Sequence, residues 1–186
     1  MGLFQIKPDI HYGANSLDIL RTLEMEKVFL VTDGNMVKLK VVNRITNILK
    51  SRGIDAKIYS DVKPDPTDEE IIKGMLELSA YDPDCIIALG GGSPIDACKS
   101  MIYFTNKIKR AMGEYKKPKF IAVPTTSGTG SEVTSYAVVT TQSKKIPLSD
   151  SEMLPDIAIL NPEFIKTLPP SIIADTGMDV LTHAIE

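Results

Sequence analysis

Short apolar runs alternate with helix-period segments along most of this chain. Residues 27–32 (KVFLVT) are apolar nearly throughout, the pattern of a strand covered on both faces. The next segment, 35–52, carries Val37, Val41, Ile45 and Ile48 at helical spacing and meets a stop at Gly53. AKIYS at 56–60 predicts a second strand. Thr67 and Glu70 then stand at capping-box spacing ahead of Ile71, Ile72, Met75 and Leu76, which predicts a helix. CIIALG at 85–90 is the clearest strand, bounded by Asp82-Pro83 and by three glycines. A helix from about Pro94 follows, then strands at 119–123 (KFIAV), 136–140 (YAVVT) and 157–160 (IAIL).

Strands of this kind, alternating with amphipathic helices, imply an α/β fold: a Rossmann-like parallel sheet with helices on both faces. Such a sheet presents its ligand chemistry at the carboxyl ends of its strands. Leu168-Pro169-Pro170 marks a boundary between residues 1–168 and a new helical stretch, 169–186. That stretch stops at His183-Ala184-Ile185-Glu186 inside a periodic apolar pattern, with no Gly, Asn or Pro to close it, so the natural polypeptide is expected to continue.

Composition narrows the function classes. The 186 residues include 21 Lys+Arg against 24 Asp+Glu, and the basic residues are scattered, which argues against a nucleic-acid partner. No apolar run approaches the roughly 20 residues of a membrane span, and Lys7 and Asp9 break the short apolar start, unlike a signal peptide. Cys85 and Cys98 make neither a disulfide framework nor a Cys-x-x-Cys site, so a cytoplasmic location is expected and both are read as core residues. His11 and His183 are the only histidines, which limits any metal site.

Four groups of residues carry candidate chemistry. Gly90-Gly91-Gly92-Ser93-Pro94-Ile95-Asp96 lies between a buried strand and a helix, where glycines let the backbone approach an anion and helix-start amides point at it. It is neither a Walker A loop nor a GxGxxG loop. Pro124-Thr125-Thr126-Ser127-Gly128-Thr129-Gly130-Ser131-Glu132 follows another strand and adds hydroxyls and amides at the same sheet edge. Two such loops are better explained by one shared phosphate-bearing ligand, such as a dinucleotide, than by two unrelated turns. Asp33, just past the strand 27–32, is either a turn residue before Gly34 or an acceptor for both ribose hydroxyls of an adenosine. Asp179 and His183, at i and i+4, share one side of a helix and can reach one metal ion, but on spacing alone such a pair is a surface or capping interaction, and two ligands do not complete a site.

GGGSPIDACK (90–99), PTTSGTGSEVT (124–134) and LPDIAILNPEFIKTLPPSIIADTGMDVLTHAIE (154–186) together resemble the iron-containing, or group III, alcohol dehydrogenases. The resemblance implies that a nicotinamide cofactor lies across the strand ends. Its pyrophosphate would sit against Gly91, Gly92 and Ser93, with Asp96 nearby. Thr125, Thr126, Thr129 and Thr134 would line the nicotinamide and ribose side. Lys145, in the basic turn 141–145, matches a further cofactor-contacting position, and Asp65 falls near the adenosine. Asp33 becomes an adenosine-ribose contact and implies NAD rather than NADP, since a carboxylate repels a 2′-phosphate. Asp179 and His183 match two iron ligands. The family's other two are histidines on later helices of an all-helical domain, and this chain has no counterpart of them.

The resemblance thus implies an NAD-dependent alcohol dehydrogenase present as its cofactor-binding portion, able to bind cofactor but with negligible turnover alone. Two alternatives stand beside it: a metal-independent nucleotide-binding or assembly module, and a zinc-using relative resembling glycerol dehydrogenase. The apolar segment Leu3–Ile6 is expected to pair with its copy in a homodimer.

Overall fold

The computed structural model describes residues 7–113, 115–141, 144–166 and 168–186. Its strands are β1 (Asp9–Tyr12), β2 (Lys27–Asp33), β3 (Asp55–Val62), β4 (Cys85–Gly90), β5 (Lys119–Pro124), β6 (Tyr136–Thr141), β7 (Lys144–Ser149) and β8 (Ile157–Leu160). Its helices are α1 (Gly34–Lys38), α2 (Asn43–Ser51), α3 (Asp68–Tyr81), α4 (Gly92–Ala111), α5 (Pro162–Ile165) and α6 (Pro170–Ile185). Six strands pair in parallel in the order β1-β8-β5-β4-β2-β3. The Rossmann-like sheet expected from the apolar runs is therefore present.

Alternation along β4 explains why its six residues are all buried. Cys85, Ile87 and Leu89 face a layer containing Leu20, Ile45, Leu49 and Phe164. Ile86 and Ala88 face the opposite layer of Ile71, Leu78, Ile95, Cys98 and Met101. Helix α3 begins with the expected capping box, in which the Thr67 hydroxyl accepts from the Glu70 N–H and the Glu70 carboxylate accepts from the Thr67 N–H. Both cysteines lie in the core, and burial pushes the Cys85 thiol up to about 12 and that of Cys98 upward as well.

The structure departs from the sequence pattern in three places. The segment 35–52 is two helices rather than one, broken at 39–42, where Lys40 adopts φ 57°. In one continuous helix, neighbouring residues point about 100° apart, yet Val41 and Val42 are 5% and 3% exposed. The break lets both reach the core and leaves Val37 outside it. The strand expected at 136–140 forms, but β6 pairs antiparallel with β7 in a separate two-stranded sheet. The basic stretch expected as a turn through Lys145 accordingly includes the start of β7, where Lys145 lies opposite Thr140. The strand β1, at the edge of the sheet beside β8, gave no sequence signal. Residues Leu3–Ile6, expected as the dimer strand, lie outside the described residues.

Candidate functional site

From β2 the chain moves to one side of the sheet to form β3, then returns to the other side to form β4. The carboxyl ends of β2 and β4 thus flank the point where strand order reverses, the place where open α/β sheets bind ligands. A cavity of about 370 Å³ opens there, lined by Asp33 at the end of β2 and Asn35 beyond it, Lys63 after β3, and Gly91, Gly92 and Ser93 after β4.

Each glycine of the first loop has its own steric reason. Gly90 holds φ 150°, and a Cβ there would stand 2.6 Å from Pro94 Cγ. Gly91 is the N-cap of α4 and offers no side-chain cap, so the first-turn amides of Gly92 and Ser93 face the cavity end of a 20-residue helix. A Cβ on Gly91 would lie 3.2 Å from both Cγ2 and Oγ1 of Thr126, and one on Gly92 would lie 2.8 Å from Thr129 Cγ2. The two polar loops are therefore in direct contact across these glycines. Thr125, 2% exposed, fastens the base of the second loop by donating its N–H to Gly90 O at 2.9 Å.

Behind this junction lies a buried polar cluster. The Asp96 carboxylate accepts from Ser131 Oγ at 2.6 Å and from the Val138 N–H at 3.1 Å. One helical turn further on, Lys99 is fully buried and donates to Ser131 Oγ (2.9 Å), Thr134 Oγ1 (3.1 Å) and Tyr136 O (2.8 Å). Burial pushes the Lys99 ammonium down to about 8, against the opposing pull of Asp96 and Glu132. Burial likewise raises the Asp96 carboxyl, partly offset by the hydrogen bonds from Ser131 and Val138 and by the nearby Lys99 charge. Asp96 and Thr134, expected beside the cofactor, thus hydrogen-bond to protein groups of this cluster, Asp96 half-buried and Thr134 exposed. Sequence reasoning gave Lys99 no role. The available signal was a lysine within the apolar run of a helix start, three residues after an aspartate.

Asp33 caps α1: its Oδ1 accepts from the N–H groups of Asn35 (2.7 Å) and Met36 (3.2 Å). Its other oxygen, Oδ2, has no hydrogen-bond partner among the described residues. The cap and the cavity position are compatible, because each uses a different oxygen. Asp65 and Lys145 come together as an exposed ion pair at 2.7 Å and join the β3–α3 turn to β7. They engage each other outside the set of residues lining the cavity.

At the far side of the second loop, a Cβ on Gly128 would stand 2.5 Å from Asp179 Oδ2 and 3.2 Å from Thr176 O. Gly128 thus lets the loop abut α6. A second cavity of about 310 Å³ lies here between Thr126, Gly128, Glu132, Asn161, Ile165 and Val180. Asp179 Oδ1 and His183 Nε2 are 3.5 Å apart on one side of α6. Among the described residues no group of three or more His, Cys, Asp or Glu side chains is gathered for a metal ion. Two donors fall short of the three or four protein ligands typical of a transition-metal site. The pair alone therefore does not fit a complete metal centre. His11 lies on β1 at the sheet edge.

Comparison with known proteins agrees with this arrangement. Residues 8–162 match the family model described as iron-containing alcohol dehydrogenase. An NADPH-dependent butanol dehydrogenase of Clostridium saccharobutylicum is 41% identical over 98% of this chain and 50% of its own length. A 1-propanol dehydrogenase of Citrobacter freundii is 36% identical over 100% of this chain and 49% of its own length. The structure of an iron-containing alcohol dehydrogenase from Thermococcus thioreducens superposes with a TM-score of 0.88 and 30% identity, covering 99% of this chain and 53% of that one. The chain therefore spans about half the length of the relatives it matches. With its parallel sheet, its two facing loops and this match, the chain belongs to the iron-containing alcohol dehydrogenase family.

Proposed function

We propose that this chain is the cofactor-binding portion, residues 1–168, of an NAD-dependent alcohol dehydrogenase, followed by the first helix of a metal-binding domain, 169–186. The whole enzyme would transfer a hydride between a primary alcohol or aldehyde and the nicotinamide, assisted by iron. The observation that carries this reading is the contact of the two loops beside the switch-point cavity, Gly91 against Thr126 and Gly92 against Thr129.

The residues present fit a dinucleotide. The amides of Gly92 and Ser93, with the positive end of α4, would take the pyrophosphate. Asp33 Oδ2 would accept from the adenosine ribose while Oδ1 keeps its cap. Thr126 and Thr129 would carry the chain of contacts toward the nicotinamide, with Thr125 fixing the loop base. When bound, the nicotinamide supplies the hydride chemistry. This chain's own contribution is to bind and orient the ring beside the 310 Å³ cavity, whose Ile165 and Val180 offer apolar walls to a short alcohol. The names of the butanol and 1-propanol dehydrogenases support a short primary alcohol as the substrate class. Asp179 and His183 would be two of the donors to iron, and among the described residues no third joins them, so the 186-residue chain alone is expected not to turn over.

Preference for NAD rests on Asp33. The butanol dehydrogenase relative is named for NADPH, but a carboxylate on the ribose side disfavours a 2′-phosphate electrostatically. Titration of the chain with NADH and with NADPH tests this. NADH should bind at least tenfold tighter, roughly 1.4 kcal/mol, and Asp33→Asn should narrow that gap. Equal or tighter NADPH binding by the unaltered chain overturns the NAD assignment. A cytoplasmic location and a homodimer complete the proposal, and the mass in solution by light scattering tests the second.

A further inference from the structure

The ammonium of Lys99 has three N–H bonds, and all three are used: Ser131 Oγ, Thr134 Oγ1 and Tyr136 O each accept one. The polarity of this arrangement is fixed by the neighbours. Ser131 spends its own proton on Asp96 Oδ1 at 2.6 Å. Tyr136 O is a carbonyl and only accepts, and the Thr134 hydroxyl is directed to Ser131 O. A neutral amine has two donors and a lone pair, so it would leave one of these three oxygens unmatched and turn a lone pair toward it. Lys99 and Ser131 are buried and the contacts to Thr134 Oγ1 and Tyr136 O are partly buried although those two residues are exposed, so an unmatched polar atom is most costly at the Lys99 and Ser131 end. Every partner of Lys99 lies on the segment from Ser131 to Tyr136, which follows Thr129-Gly130, while Lys99 itself lies about two turns into α4, the helix that begins at Gly92 and Ser93. The two halves of the loop junction are thus tied together from behind.

We propose that protonated Lys99 is a positioning residue: its three hydrogen bonds clamp the 131–136 segment to the N-terminal half of α4, and cofactor binding requires that clamp. The inference rests on the cofactor reading given above and adds a buried residue whose three donors are all spent on protein oxygens. Lys99 Nζ is 2.8–3.1 Å from protein oxygens only. The charged groups facing it are Asp96 from its own helix and Glu132 from the loop, with the Cys98 thiol beside it. The thiol is pushed far upward by burial and stays neutral through this range. Lys99, pushed down to about 8, is the member of this cluster that loses its charge at alkaline pH.

The test is NADH affinity of the 186-residue chain between pH 7 and 9.5. If the protonated form alone is competent, apparent affinity scales with its fraction. Affinity should then be flat below the midpoint and fall about 30-fold by pH 9.5 for a midpoint near 8. Lys99→Met should bind weakly at pH 7 with a flat profile. Because that variant puts the fold at risk, Thr134→Val serves as the second arm. Removing one acceptor disfavours the charged form and should move the midpoint to lower pH. A purely structural lysine would lower the melting temperature on substitution and leave the pH profile of the unaltered chain flat. NADH binding that is independent of pH over this range, or a midpoint unmoved by Thr134→Val, overturns the clamp and leaves the cofactor site standing. Absence of NADH binding at pH 7 overturns the cofactor reading itself.

Discussion

Substituting Gly92 by alanine perturbs the loop junction at one atom. The added Cβ would stand 2.8 Å from Thr129 Cγ2, with Thr129 Cβ and Oγ1 both at 3.4 Å. Reaching an ordinary contact requires moving that methyl group from 2.8 to 3.4 Å, a displacement of about 0.6 Å. Thr129 is exposed on a loop, so the segment can yield, and the stability cost should sit near the lower end of overpacking, about 1 kcal/mol. Binding suffers more. A hydrogen bond stretched by about 0.6 Å passes beyond its useful range, and a bond to a charged phosphate is worth roughly 1.5–3 kcal/mol. NADH affinity should therefore fall about tenfold to a hundredfold, measured by calorimetry or by the change in NADH fluorescence. Adding Thr129→Ser removes the clashing methyl, keeps the hydroxyl, and should restore most of the loss. Wild-type affinity in Gly92→Ala, or a double variant whose effects simply add, refutes the claim that these loops share one ligand through this contact.

Other consequences follow from the same geometry. Lys99 with a folded value near 8, against the usual 10.5, means that the unfolded chain binds more protons between those values. Its burial therefore costs stability below pH 8, and that cost is relieved as pH rises. Relative to Lys99→Met, the chain should gain about 2 kcal/mol between pH 8 and 9.5 in urea unfolding, opposite in sign to its loss of NADH affinity. A relative loss of stability over that range contradicts the buried-ammonium assignment. Gly128→Ala places a Cβ against Asp179 Oδ2 and Thr176 O and should push α6 off the second loop. Faster amide exchange within 170–185 would report this, whereas exchange unchanged from the parent chain would show that α6 is not held there.

What the sequence conveyed and what it withheld have physical causes. The runs 27–32 and 85–90 were legible because a parallel strand covered on both faces has no polar side to interrupt it. Thr67 and Glu70 were legible because a capping box is a local, four-residue interaction. The break at 39–42 was not, since helical spacing of Val37, Val41 and Ile45 continues across it and only the tertiary demand of burying both Val41 and Val42 forces Lys40 to φ 57°. Likewise YAVVT reads as a buried strand, yet its partner is β7, the largely exposed stretch KKIPLS. In the site, glycines announced the loops, while the direction of Asp96 and Thr134 depended on Lys99 and Ser131, contacts 32–42 residues apart that no spacing rule encodes.

Amide hydrogen exchange of the chain with and without saturating NADH probes the shared cofactor site most directly. Residues 90–95 and 125–131 should become protected together, at one common ligand concentration, with Asn35 and Met36 beside Asp33 following the same curve. Protection confined to one loop, or two loops protected at different concentrations, would mean that the two turns serve separate purposes and that no single dinucleotide spans them.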